Sequence, residues 1–246
     1  MIRKLTHALS VLMVFGLFAS SEAAEIKGVD MTLPATERAV SVIQFKAPGD
    51  AKRPSTLILH GAGGFDRRFK DYNRYAAAVA NAGIDAYLVY YYSGADERTG
   101  GRNFQKRFPA WAKLVDDLAD HLLAEKDSNG KVGLIGFSNG GILATGAAAL
   151  DPKVNAAVIY YGTDPWPLGE DVTHYPPLLV LHGDADEVIP VMSGKILADK
   201  ARALGASVDL VIYPKEEHGF GASIDEPNGA DALKRTITFL KIQLAP

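Results

Sequence analysis

One serine stands where its neighbours would make it a nucleophile. In Lys131-Val-Gly-Leu-Ile-Gly-Phe-Ser-Asn-Gly-Gly141 a short apolar run leads into Gly-x-Ser-x-Gly, and Ile142-Leu-Ala-Thr-Gly-Ala-Ala-Ala-Leu150 follows. Read as strand, sharp turn and packed helix, the pattern lifts the Ser138 hydroxyl onto the tip of the turn. Gly136 and Gly140 suit that reading, because such a turn leaves no room for side chains beside a strained residue. A helix opening at Asn139 aims its first N–H groups at the place where an oxyanion would form. The strand and helix signals on both sides are what make the motif specific.

A serine hydroxyl attacks poorly until a positioned base takes its proton. Two later segments supply a base and an acid in the order Ser…Asp…His. Leu178-Leu-Val-Leu-His-Gly-Asp-Ala-Asp-Glu-Val-Ile-Pro190 is a buried strand opening into an acidic turn, and Asp186 is its candidate acid. Asp184, two residues earlier, competes for that role. Leu210-Val-Ile-Tyr-Pro-Lys-Glu-Glu-His-Gly-Phe220 is a strand followed by a loop whose His218 is the candidate base. His60 and His182 each end a strand before a glycine and are read as holding those loops by hydrogen bonds. His121 falls on a helix face and His174 in a loop. No His or carboxylate pairs stand at metal-ligand spacing, so neither a metal nor a cofactor is expected.

The oxyanion needs two N–H donors, one after the nucleophile and one from the loop after an early strand. Asn139 supplies the first; Leu57-Ile-Leu-His-Gly-Ala-Gly-Gly-Phe65 supplies the second through Ala62. That loop lacks both the Lys-Ser/Thr of a phosphate loop and the Gly-x-Gly-x-x-Gly of a dinucleotide site. Tyr91, Tyr161 and Trp166, at or after strand ends, are candidates to line a substrate pocket. Arg98 is the candidate for a substrate carboxylate, with Arg102, Lys106 and Arg107 nearby in or beside the glycine-containing connection 93–107.

These residues need a scaffold, and the chain alternates strand-like and helix-like stretches throughout. Strands are expected at Ala39–Lys46, Ser55–His60, Ile84–Tyr90, Val132–Phe137, Ala156–Tyr161, Leu178–His182 and Val208–Tyr213. Helices are expected at Lys70–Ala82, Pro109–Glu125, Asn139–Leu150, Met192–Leu204 and Ala230–Gln243, with Gly83 and Gly205 as C-terminal caps. The fold class is therefore α/β, a mostly parallel sheet with helices on both faces. Gly162 to Pro177 is too short for a lid domain, so the site should be an open cleft.

Residues 1–24 read as a secretory signal: Arg3 and Lys4, an apolar core from Ala8 to Ala19, then small residues to Ala24. The apolar core is shorter than the ~20 residues a spanning helix needs, so no stable membrane insertion is expected after cleavage. Residues 25–246 are expected to form one domain, exported to a periplasm or the medium. With no cysteine, the exported protein has no disulfides. Losing Arg3, Lys4 and Glu22 leaves 24 cationic against 28 acidic side chains, −4 in place of −3. No basic run appears, which argues against nucleic acid as a partner.

Together, His60-Gly-Ala-Gly-Gly64, Gly136-Phe-Ser-Asn-Gly-Gly141, Tyr160-Tyr-Gly162, His182-Gly-Asp-Ala-Asp-Glu-Val-Ile-Pro190 and Tyr213-Pro-Lys-Glu-Glu-His-Gly-Phe220 resemble the dienelactone hydrolase family of the α/β-hydrolase fold. The resemblance implies Ser138 as nucleophile, Asp186 as acid and His218 as base. Founding members use a cysteine nucleophile and place a glutamate in the oxyanion loop, where this chain has Ser138 and Gly61-Ala62. The expected function is serine-dependent hydrolysis of a small carboxylic ester or lactone through an acyl-enzyme on Ser138. The alternatives are a small exported peptidase or amidase of the prolyl-oligopeptidase type, and a non-catalytic binding module on the same scaffold.

Overall fold

The computed structural model describes residues 26–65, 69–92, 103–169 and 172–246. Residues 1–24, expected from sequence to be a secretory signal, and Arg98 and Arg102 lie outside the described residues. Runs of branched apolar residues make the strands β1 (Val29–Leu33), β2 (Val40–Phe45), β3 (Arg53–Leu59), β4 (Asp85–Val89), β5 (Ser128–Phe137), β6 (Val154–Tyr160), β7 (Leu178–Gly183) and β8 (Val208–Tyr213). The middle strands β3 to β7 are buried over most of their length, as strands covered on both faces must be. They join in one sheet of order β1-β2-β4-β3-β5-β6-β7-β8, with β2 antiparallel to its neighbours and every pair from β4 to β8 parallel.

Five helices cover the sheet among the described residues: α1 (Phe69–Asn81), α2 (Phe104–Leu123), α3 (Asn139–Leu150), α4 (Val191–Ala203) and α5 (Pro227–Gln243). One core gathers Trp111, Val115 and Leu118 of α2, Leu143 and Ala147 of α3, and Leu197 of α4 against one face of the sheet. The other gathers Tyr75 and Val79 of α1 and Leu233 and Leu240 of α5 against the opposite face. Helix α3 is apolar all round and buried from Gly140 to Ala149, so it forms the centre of its layer.

This wiring places the site. β3 and β5 are adjacent and parallel, yet β3 leads to α1 on one face and β5 to α3 on the other. Chains leaving neighbouring strand ends towards opposite faces open a crevice at the carboxyl edge, where open α/β sheets bind ligands.

Four elements depart by three or more residues from the sequence expectation. β1 pairs with β2 at the sheet edge, and its mostly exposed Val-Asp-Met-Thr-Leu carries too little apolar signal to be read alone. β5 starts at Ser128, where Ser128 pairs with Arg53 ahead of a register shift; the polar Ser-Asn-Gly-Lys reads as a loop until that neighbour is present. α2 begins at Phe104 and carries Pro109 inside it, because buried Phe104 and Phe108 outweigh the one N–H that proline lacks. α5 starts with Pro227 at its first turn, a position where the missing N–H costs nothing.

Candidate active site

Ser138 sits between β5 and α3 with φ 55° and ψ −117°, a conformation that side chains other than glycine rarely adopt. Its N–H donates to Tyr160 O at 3.0 Å and its carbonyl accepts from Ile142 N at 3.0 Å, so strand β6 and helix α3 together hold the strained residue. The flanking glycines are required by contact. A Cβ on Gly136 would lie 2.1 Å from Gly140 O, and one on Gly140 would lie 2.2 Å from Leu59 O. Helix α3 thus meets the ends of β5 and β3 backbone to backbone.

The loop after β8 carries His218, and its Nε2 lies 2.9 Å from Ser138 Oγ. The Nδ1 lies 2.7 Å from Asp186 Oδ2. An ionised carboxylate can only accept, so Nδ1 carries the proton and Nε2 is left as an acceptor for the serine hydroxyl. Asp186 Oδ1 accepts the N–H groups of Val188 and Ile189 at 2.9 and 2.8 Å, which ties the acid to its own turn. The Asp186 side chain is fully buried, whereas the His218 ring is 19% exposed and within reach of a ligand. Asp184 does other work: its carboxylate accepts Lys215 N at 2.6 Å, and Ala185 N donates to Glu216 O at 3.1 Å. These bonds zip the loop after β7 to the loop after β8. A Cβ on Gly183 would lie 2.1 Å from Glu216 O, so that seam also depends on a glycine.

An open cavity of about 410 Å³ lies over Ser138 and His218. Ala62 and Asn139 line it, one from the loop after β3 and the other at the start of α3. Tyr161 lines it too, with φ 39° and its ring edge-on to His218 at 4.8 Å. The remaining wall includes Tyr72, Phe137, Val188, Ile189 and Ala222. Tyr72 is not a sequence candidate: it lies on α1, whose helical pattern marks it as core, and its ring meets Phe137 at the end of β5 at 5.2 Å on the cavity wall.

Two expected substrate contacts, Tyr91 and Trp166, are not among the described residues that line this cavity. Tyr91 is fully buried, stacks on His60 at 4.1 Å and donates its hydroxyl to His60 O at 2.7 Å. It braces the end of β3 beneath the 61–64 loop and is not among the described residues lining the cavity. Trp166, 48% exposed in a 3₁₀ turn, lies 6.0 Å from Phe104 and is also absent from the wall. Its ring instead faces Phe104 at the start of α2. Arg98 lies outside the described residues. Lys106 and Arg107, on the first turns of α2, are not part of the wall. His60 and His182 do bond to loop carbonyls, His60 Nδ1 at 2.8 Å from Gly61 O and His182 Nε2 at 2.8 Å from Ile189 O. Burial pushes the His60 pKa down to about 4.

Residues 42–244 match the sequence pattern of the dienelactone hydrolase family, most of the chain. The chain belongs to the dienelactone hydrolase family. Among curated relatives, a protein of Methylorubrum extorquens named "Putative carboxymethylenebutenolidase" is 32% identical over 127 residues, 45% of this chain and 43% of that one. One of the same name from Escherichia coli K12 is 27% identical over 149 residues, 53% of this chain and 54% of its own. The matched part thus spans about half the length of these relatives. Among solved structures, a dienelactone hydrolase of Anabaena variabilis superposes with TM-score 0.72 at 22% identity over 89% of this chain and 99% of that one. An esterase of Pyrobaculum calidifontis superposes with TM-score 0.73 at 18% identity, covering 89% and 87%. At such identities the structures establish the α/β-hydrolase fold. Within this family, the chain carries serine at the elbow.

Proposed function

We propose that this protein is a serine hydrolase that cleaves carboxylic esters or lactones through an acyl-enzyme. The observation that carries the reading is the continuous chain Ser138 Oγ, His218 Nε2 and Nδ1, Asp186 Oδ2, with links of 2.9 and 2.7 Å. Ser138 Oγ attacks the carbonyl carbon while its proton passes to His218 Nε2, and Asp186 holds the resulting imidazolium. The Ala62 and Asn139 N–H groups face the oxyanion, an arrangement in which losing one donor typically costs about 100-fold or more in turnover. Collapse of the adduct returns the proton to the departing alkoxide; water then repeats the sequence with His218 as base and releases the acid. In a lactone the alcohol stays tethered to the acyl group, and the chemistry is the same. The family match and the apolar and aromatic side chains among the described wall residues support a small-molecule ester.

The test is labelling of the mature protein with a fluorophosphonate, read by mass spectrometry, beside Ser138→Ala and His218→Ala. The expected result is phosphonylation at Ser138 that both substitutions abolish, with nitrophenyl ester turnover exceeding that of peptide anilides. A folded protein that takes no label overturns the reading. Export through residues 1–24 is part of the proposal, and a mature N-terminus near residue 25 in a periplasmic extract or the medium would support it.

A further inference from the structure

We infer that His182 is a positioning residue for Asp186, a neutral N–H donor that holds the acid and its turn in register with His218. The inference rests on the reading of Ser138, His218 and Asp186 as an acyl-transfer triad. His182 is at the end of β7, and its side chain and that of Asp186 are both fully buried. Its Nε2 lies 2.8 Å from Ile189 O and 3.4 Å from Asp186 Oδ2. Both oxygens are acceptors, so the proton is on Nε2. Nδ1 is then a bare lone pair, buried with no hydrogen-bond partner among the described residues. It presses on α4 where a Cβ at Gly194 would come within 2.5 Å.

That orphaned nitrogen has a consequence for the charge. A second proton would have to sit on Nδ1, against backbone and away from any acceptor. Burial accordingly holds the His182 pKa below its ordinary value, against the opposing pull of the Ile189 carbonyl and Asp186. The charged or titratable groups acting on the ring are Asp186, from its own turn, and His218, from the loop after β8; α4 offers the Gly194 backbone. A neutral ring gives Asp186 a dipole without a rival cation, so the carboxylate's charge stays available to His218. The same N–H fixes Ile189 at its carbonyl while Asp186 fixes Ile189 at its N–H. The turn is clamped at both ends, and Ile189 and Val188 form cavity wall from it.

The experiment compares wild type, His182→Phe, His182→Gln and Gly194→Ala, with active sites titrated by fluorophosphonate so that unfolded protein does not count. Phe fills the space without a donor and should lower kcat about tenfold, the size typical of supporting contacts. KM should stay near wild type. The acid limb of the kcat/KM profile should move to higher pH, because Asp186 without the N–H dipole 3.4 Å from its Oδ2 holds the His218 proton more tightly. Gln offers an N–H near the Nε2 position and should recover most of kcat and of the acid limb. Gly194→Ala pushes on the ring and should shift both in the direction of His182→Phe. A role in packing alone would change melting temperature and leave per-site kcat and the acid limb unmoved; that result overturns the inference, as does a Gln variant no better than Phe. If His182→Phe fails to fold, Gly194→Ala decides, and wild-type kinetics there overturn it. Failure of the triad reading is separate, since the wild type would then take no label.

Discussion

Replacing Asp186 by Asn measures how far this site depends on the tautomer of one imidazole. Asp186 Oδ1 accepts from two backbone N–H groups at 2.9 and 2.8 Å. An Asn side chain must leave its oxygen there, because its NH2 would face two donors. The NH2 then takes the place of Oδ2, opposite His218 Nδ1 at 2.7 Å. His218 answers by baring Nδ1 and moving its proton to Nε2, which lies 2.9 Å from Ser138 Oγ. A protonated Nε2 cannot take the serine's proton. The expected loss is about 10⁴-fold in kcat, the effect of a wrong tautomer in an otherwise intact triad. That corresponds to about 5.5 kcal/mol of transition-state stabilisation. KM should hold, because the Asp186 side chain is fully buried and does not line the cavity. The assay is nitrophenyl ester turnover per folded molecule, with thermal melting as the folding control. Asp184→Asn is the matched control: its carboxylate bonds to Lys215 N, so kcat should stay within about threefold of wild type, the change of under 1 kcal/mol expected of a contact away from the reacting atoms. If Asp186→Asn kept more than about 1% of kcat, tautomer control could not be its main role.

Three further predictions address the scaffold and the cavity. Gly140→Ala places a methyl 2.2 Å from Leu59 O and 2.5 Å from His60 O, forcing α3 away from the oxyanion loop. It should destabilise by roughly 1–3 kcal/mol, as overpacking does, and lower kcat of the remaining folded enzyme; urea unfolding with unchanged stability would contradict the contact. His60 has its pKa pushed down to about 4 from 6.5 by burial, so the unfolded chain takes up a proton before the folded one does. Stability is therefore full above about pH 6.5 and declines towards pH 4, by up to about 3 kcal/mol from this group. His60→Phe should flatten that decline in urea unfolding at pH 7 and 4.5, and parallel slopes for the two proteins would refute it. Trp166→Ala, outside the cavity wall, should leave KM for nitrophenyl acetate within about twofold, below the ~1 kcal/mol at which a contact is scored; a tenfold rise would place Trp166 at the substrate.

The grouping of Ser138, Asp186 and His218 proposed for catalysis is legible in the sequence because such chemistry demands rare combinations. A serine between two glycines, an acid after a buried strand and a histidine after the last strand are local patterns, and each lies on an element that its own residues specify. Both ends of helix α3 show in the sequence because Ser138 and Asp151 bracket an apolar, small-residue run. Weak elements escaped for the opposite reason. β1 is a strand because β2 offers it hydrogen bonds at the sheet edge, and its own side chains say little.

Tyr91 and Tyr161 show where local reading ends. Both follow a strand, so sequence treats them alike, and both are buried. Tyr91 is enclosed by His60, Tyr92 and Trp111, whereas Tyr161 turns at φ 39° with its N–H bonded to Leu181 O and comes to face His218. Asp184 and Asp186 divide in the same way, since only the seam between the β7 and β8 loops assigns one to Lys215 N and the other to His218. Sequence alone determined which groups could react and the order of the strands that carry them, because both follow from residue type and short-range pattern. Tertiary structure decided which side chains face the cavity and bridged the 80 positions between Ser138 and His218 to 2.9 Å. Those outcomes depend on parallel strands placed side by side and on helices leaving them to opposite faces, contacts that no stretch of chain encodes by itself.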